Sequence, residues 1–199
     1  MIAASQRGES VSVYSISLFL HIVGAHGLFA VIALEWASLY GLRRATEAGQ
    51  VREWIRLLGA PRFLGGPAAL TVLVTGIHMT ATRWGPQGWI VVGLAGMVVI
   101  AVLGAAVSGR RAGAIARALP AEDGPISTVL GRRLHDPVLS LSLWLRTALF
   151  LGVVFVMSTE PSGAGALTAM GVALVVGLAA ALPARAGGRR PARMAGSER

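Results

Sequence analysis

Four side chains set in oily surroundings carry the chemistry open to this sequence: His21 and Glu35 in "SLFLHIVGAHGLFAVIALEWASLY", His78 in "LTVLVTGIHM", and Arg146 in "LSLWLRTALF". An imidazole can ligate a metal, relay a proton or bond a neighbouring helix. A guanidinium keeps its charge, so inside lipid it needs a carboxylate, a phosphate, carbonyls or water. Spacing decides which groups share a face. His21, Leu28 and Glu35 recur at heptad spacing and drift slowly around one helix. His26 points more than about 100° away from His21 at 3.6 residues per turn. Thr71, Thr75, His78 and Thr82 follow i, i+4, i+7, i+11, a single polar stripe.

Depth sharpens the reading. A helix entering near Tyr14 puts His21 about 10 Å below that interface, and one leaving near Trp84 puts His78 about 9 Å below it. Two imidazoles at matching depth on antiparallel neighbours are the arrangement that axial ligation of haem needs. Gly24, Gly27 and Gly76 would leave room for the flat macrocycle. The same residues also suit hydrogen-bond glue between helices or a proton relay, and the sequence leaves all three readings open. Arg146 falls about 13 Å deep, counted from Pro137. Glu35 is the one acidic residue within or at the edge of an apolar run, so it is the expected partner. The alternative partner is an anionic group such as a haem propionate or a lipid headgroup. Glu35 itself is expected near the inner interface, where snorkelling makes a carboxylate cheap. His135, in "RRLHDP", reads as a surface residue.

The elements that must position these groups are membrane spans. The chain has 199 residues, 54% apolar and only 14% charged, with 26 glycines, whereas soluble domains carry about 25% charge. Cysteine is absent, which excludes disulfides, thiolate metal sites and a cysteine nucleophile. The net charge of +9 comes from 18 arginines and no lysine. They cluster between the apolar runs, which argues against nucleic acid as a partner. Five runs reach the about 20 residues that crossing a bilayer takes: 11–34, 63–82, 89–107, 138–157 and 164–182. The expectation is an all-α, polytopic five-span bundle over 1–184, followed by a basic, disordered tail over 185–199. The first run is too long for a signal-peptide core and lacks a basic n-region, so it should stay as an anchor.

Fifteen arginines lie in alternate segments, namely the loops after the first and third spans and the tail. By the positive-inside rule the N-terminus is expected outside and the C-terminus in the cytoplasm; the lysine-free, arginine- and alanine-rich usage points to a high-GC bacterial genome, and so to a bacterial inner membrane. Tyr14, Trp84 and Trp89 fall at the outer interface and Trp36 and Tyr40 at the inner one. "VREWIRLLG" reads as an interfacial helix whose Trp54, Leu57 and Leu58 meet lipid. "LPAEDGP" breaks structure between two arginine clusters. Small residues at four-residue spacing, Gly96–Ile100–Gly104 and Ala173–Gly177–Ala181, let helices approach closely. Hydrolase, metalloprotease and phosphate-loop motifs are absent, so the reading leans away from an enzyme.

"SLFLHIVGAHGLF", "GPAALTVLVTGIHM" and "LSLWLRTALFLGVVFVMSTEPS" resemble small bacterial predicted integral membrane proteins of unknown function. That group is distantly similar to the copper-resistance D membrane proteins and to the HemJ type of protoporphyrinogen oxidase. The matching points are His21, Pro67, Gly76 and Arg146. The resemblance implies a haem associated with the first-helix histidine, His21. The helix lysine of the enzyme group has no counterpart here, since the chain lacks lysine. Three functions are therefore expected in competition. One is a haem-binding, redox-associated protein with His21 and His78 as axial ligands. Another is a small transporter or accessory with a polar His/Thr/Arg path. The third is an assembly subunit whose third and fifth spans contact a membrane partner or a second copy.

Overall fold

A computed structural model of the chain describes residues 12–59 and 61–186. Residues 1–11 and 187–199, which hold Arg7 and most of the expected tail, lie outside the described residues. The elements are α1 (Val13–Arg44), α2 (Ala48–Gly59), α3 (Pro61–Met79), α4 (Gly88–Leu103), α5 (Arg110–Ala118), α6 (Thr128–Leu134), α7 (Pro137–Thr159) and α8 (Gly163–Ala186). Two π-helical turns join them, Thr80–Trp84 after α3 and Gly104–Gly109 between α4 and α5. Five helical stretches are long and apolar enough to cross a membrane. Among the described residues there is no strand, only an isolated bridge between Glu47 and Pro125.

The ends of the spans follow local chemistry. Asp136 caps α7 by accepting from the Val138 N–H at 2.9 Å, with Pro137 in the first turn where its missing N–H costs nothing. Ser162 does the same for α8, accepting from the Gly165 N–H at 3.1 Å. Nothing stops α1 at Leu34. With no proline from Val13 onward it runs to Arg44, 32 residues or about 48 Å, well beyond the about 30 Å of a hydrocarbon core. Glu35 is therefore well inside a helix rather than at its end.

The described residues form two compact units. One takes those of Met1–Val31 and Arg62–Pro86, and the other those of Ile32–Pro61 and Gln87–Arg199. In the first unit, the N-terminal half of α1 packs on α3 through glycines. A Cβ on Gly24 would stand 2.9 Å from Val72 and 3.1 Å from the Ala68 carbonyl, so only hydrogen fits there. Outward-facing Phe19, Val23, Phe63 and Leu70 are exposed.

In the second unit, α4, α7 and α8 pack together, again over small residues. Gly96 receives Met170 and Val153, Gly152 receives Ala173, and Gly177 lies against Ala148 and Leu145. A separate apolar cluster joins Leu39 and Leu42 of α1 to Val51 of α2, Ile115 of α5, Leu130 and Leu134 of α6, and Leu139 and Leu143 of α7. This cluster corrects the expectation for α2. Trp54 and Leu58, expected at lipid, pack against it together with Ile55, and the Trp54 ring fills the space beside Gly41. The helix is amphipathic as expected, but its apolar face is used by the protein. The loop after α5 is held to it: Arg52 reaches Asp123 at 2.6 Å and the carbonyls of Pro120 and Ala121 at 3.0 and 3.2 Å.

Candidate functional site

Two polar centres lie among the membrane-length helices, one in each unit. In the first unit, His21 of α1 meets Thr75 of α3, with Nδ1 3.0 Å from Oγ1. Thr75 donates its hydroxyl hydrogen to the Thr71 carbonyl at 2.6 Å, so its oxygen is free to accept the imidazole N–H. His78 makes the mirror contact, its Nδ1 2.9 Å from Oγ of Ser17. Ser17 and Thr75 are both buried. Each helix thus gives one histidine and one hydroxyl to the other. Ser17, which sequence reasoning passed over, stands four residues before His21, and that spacing was the available signal.

The rest of the stripe divides. Thr71 takes part through its carbonyl. Thr82 sits in the π turn, is exposed, and donates to the His78 carbonyl of its own helix at 2.8 Å. The π turn breaks the 3.6-residue register that made the four positions look aligned. His26 is exposed and bonds the Ile22 carbonyl at 2.8 Å, and His135 likewise bonds Gly131 at 3.0 Å.

The space expected for a macrocycle is taken. Gly24 is filled by Val72 and Ala68, and Gly27 faces the Ala68 methyl, where a Cβ would come within 3.0 Å. Gly76 has the His21 ring itself over it, 3.4 Å from where a Cβ would be. These glycines close α1 onto α3 instead of parting them, so the residues do not fit a haem inserted between the two helices as packed.

The second centre is built around Arg146. Its Nη2 lies 2.8 and 3.0 Å from the two carboxylate oxygens of Glu35, across 111 residues of sequence. The side chains are 7% and 13% exposed, so the Glu35 carboxylate does not snorkel outward; it is held inside. The face of the guanidinium lies on Gly104, where a Cβ would stand 3.2 Å from Cζ. Gly104 opens the π turn, so the small residue assigned to helix packing instead makes room for a charge. Around it, Ser142 lies one turn from Arg146 on α7, and its hydroxyl is 3.1 Å from that of Ser108 on the π turn. Trp36, next to Glu35, donates to Thr147 at 3.0 Å and stands edge-on to Trp144 at 4.7 Å. Towards the end of α1, Arg43 donates to Ser140 of α7.

This centre is under-satisfied. A guanidinium has five N–H donors, yet Nε and Nη1 of Arg146 are buried without a hydrogen-bond partner, as are Nε of Arg43 and the Glu35 oxygen Oε2. A buried donor left unmet costs about 1–3 kcal/mol, and more when charged. Sequence reading pointed to Glu35 and Arg146, passed over Ser142 and Ser108, took Gly104 for a packing residue and counted Arg43 with the loop arginines. The Ser142–Arg146 spacing of four was the signal for Ser142. Gly104 and Ser108 depend on the π turn, which no residue pattern announces.

An apolar groove of about 490 Å³ runs between α7 and α8, floored by Ala148, Gly152, Ala173 and Gly177. Its walls carry almost no polar surface, so it offers nothing to a charged ligand. Among the described residues no three His, Cys, Asp or Glu side chains group as a metal site would require. No protein-family model, curated protein or solved structure matches the chain.

Proposed function

We propose that the protein is a small carrier or permeation accessory of a bacterial inner membrane, N-terminus outside and C-terminus cytoplasmic, that handles a polar solute at Arg146. The observation that carries this reading is the buried guanidinium with Nε and Nη1 unpartnered. A purely structural ion pair has no use for unmet donors, because they subtract from the stability the pair supplies. A solute that meets them restores that loss when it arrives. The π turn supports the same view, since such turns concentrate where a helix is locally re-aimed for function. Exposed apolar residues such as Phe19, Phe63, Leu167 and Val175 then face acyl chains.

His21 and His78 serve here as reciprocal ties between α1 and α3, each bonded to a hydroxyl of the facing helix. The close packing at Gly24 and Gly27 supports that role over haem ligation.

Flux in proteoliposomes tests the proposal. Vesicles holding the protein should pass a small polar solute faster than protein-free vesicles, and Arg146→Gln should fall to the lipid background. Equal rates in all three preparations would overturn the carrier reading.

A further inference from the structure

We propose that the solute taken at Arg146 is a small monocarboxylate, for which Glu35 acts as a built-in stand-in. This rests on the carrier reading above and names its ligand class.

The Glu35 carboxylate already sits on the guanidinium. Both oxygens of a carboxylate lie 2.8 and 3.0 Å from a single nitrogen, Nη2. Arginine pairs best with planar oxyanions, through two parallel N–H···O bonds from two nitrogens. The Nη2–H donates to Oε1 alone, leaving Oε2 without a hydrogen bond and Nε and Nη1 open. A second carboxylate can take an Arg146 N–H that Glu35 does not.

Charge then limits the class. Glu35 and Arg146 together are neutral, and the hydroxyls of Ser108 and Ser142, bonded to each other, bring no charge. Arg43, bonded to Ser140, is the other cation on the facing surfaces of α1 and α7. A divalent anion would bring more charge into this setting than the guanidinium can compensate, so a singly charged group is favoured. The guanidinium itself lies flat on Gly104, and any larger residue there would push on it.

Glu35 is then a competitor as well as a partner. Removing its charge while keeping its shape, as in Glu35→Gln, should make the site take an external carboxylate more readily. A structural ion pair in a closed core predicts the reverse: loss of stability that no anion repairs.

The test is the thermal unfolding midpoint of the purified full chain in phospholipid-free detergent, where no headgroup can occupy the site. Sodium lactate is titrated against sodium chloride at equal ionic strength, with sodium phosphate as a further arm. Lactate should raise the wild-type midpoint saturably and raise that of Glu35→Gln further. It should leave Glu35→Met/Arg146→Met unchanged, and phosphate should have less effect than lactate. A lactate shift in the wild type no larger than in the double variant overturns the proposal. A shift produced by phosphate in place of lactate overturns the carboxylate class. If Glu35→Gln does not fold even in lactate, the comparison of wild type with the double variant still decides. A lactate shift without flux would remove the carrier reading and leave the binding site standing. Flux of other solutes without a lactate shift would do the opposite.

Discussion

Arg146→Met on its own is expected to lower the unfolding free energy by about 3–5 kcal/mol, because it leaves the Glu35 carboxylate buried without its cation. The side chains concerned are 7% and 13% exposed, so solvent screens little of that loss. Glu35→Met alone should cost a comparable amount, and it strands the charge that cannot neutralise itself. Replacing both is the informative variant. Well-packed apolar side chains in place of a buried ion pair are often neutral or stabilising, and here the double change also removes the unmet Nε and Nη1 donors. Glu35→Met/Arg146→Met should therefore return to within about 1 kcal/mol of wild type or exceed it. Reversible denaturation in detergent, run as a double-mutant cycle, reads the coupling directly. Single variants that add without coupling would show that the pair does not act as a unit.

Gly41→Val is the second large effect, and it lies away from the charges. The Trp54 ring occupies the place a side chain at Gly41 would need, with ring atoms far inside van der Waals contact of a Cβ there. The indole must leave, and with it goes the seat of α2 on Leu39 and Leu42 of α1. Loss of a packed aromatic costs about 3–5 kcal/mol where the site cannot collapse. Trp54 is only half-buried, so about 3 kcal/mol is expected, at the lower end of that range. Limited proteolysis would report it as new cleavage in the α2 segment, with α7 and α8 still protected. A cleavage pattern like that of wild type would mean that α2 does not depend on this contact.

What could be read from the sequence follows from what hydrocarbon forbids. A bilayer demands long apolar runs, so all five membrane-length helices were visible as composition, although α1 overran its expected end because no residue after Leu34 stops a helix. Glu35 and Arg146 could be matched by elimination, since one acidic residue and one deep cation leave few ways to balance charge. What the glycines contact could not be read. Gly24 and Gly27 looked like room for a ligand and are filled by a neighbouring helix. Gly104 looked like a packing residue and is the floor of a charged site. A glycine records that something comes close, and only the packed structure says what. The direction of Trp54 was missed for a similar reason. An amphipathic helix shows the same face whether lipid or protein covers it. The two π turns insert a residue's worth of rotation where tertiary contacts favour it, which put Thr82 outside its stripe and Ser108 opposite Ser142.

The absence of cysteine offers a clean probe of whether a solute reaches the Arg146 centre. Ser142→Cys places one thiol beside Ser108 and one turn from the guanidinium. Its modification by a charged, membrane-impermeant methanethiosulfonate is the measurement to make, with Val98→Cys on the exposed apolar face of α4 as the comparison. A solute path to Arg146 predicts that the Ser142→Cys variant reacts in intact vesicles while Val98→Cys does not, and that lactate slows the Ser142→Cys reaction. A thiol at position 142 that stays inert until the protein is unfolded would contradict it and leave Arg146 and Glu35 as a closed structural pair.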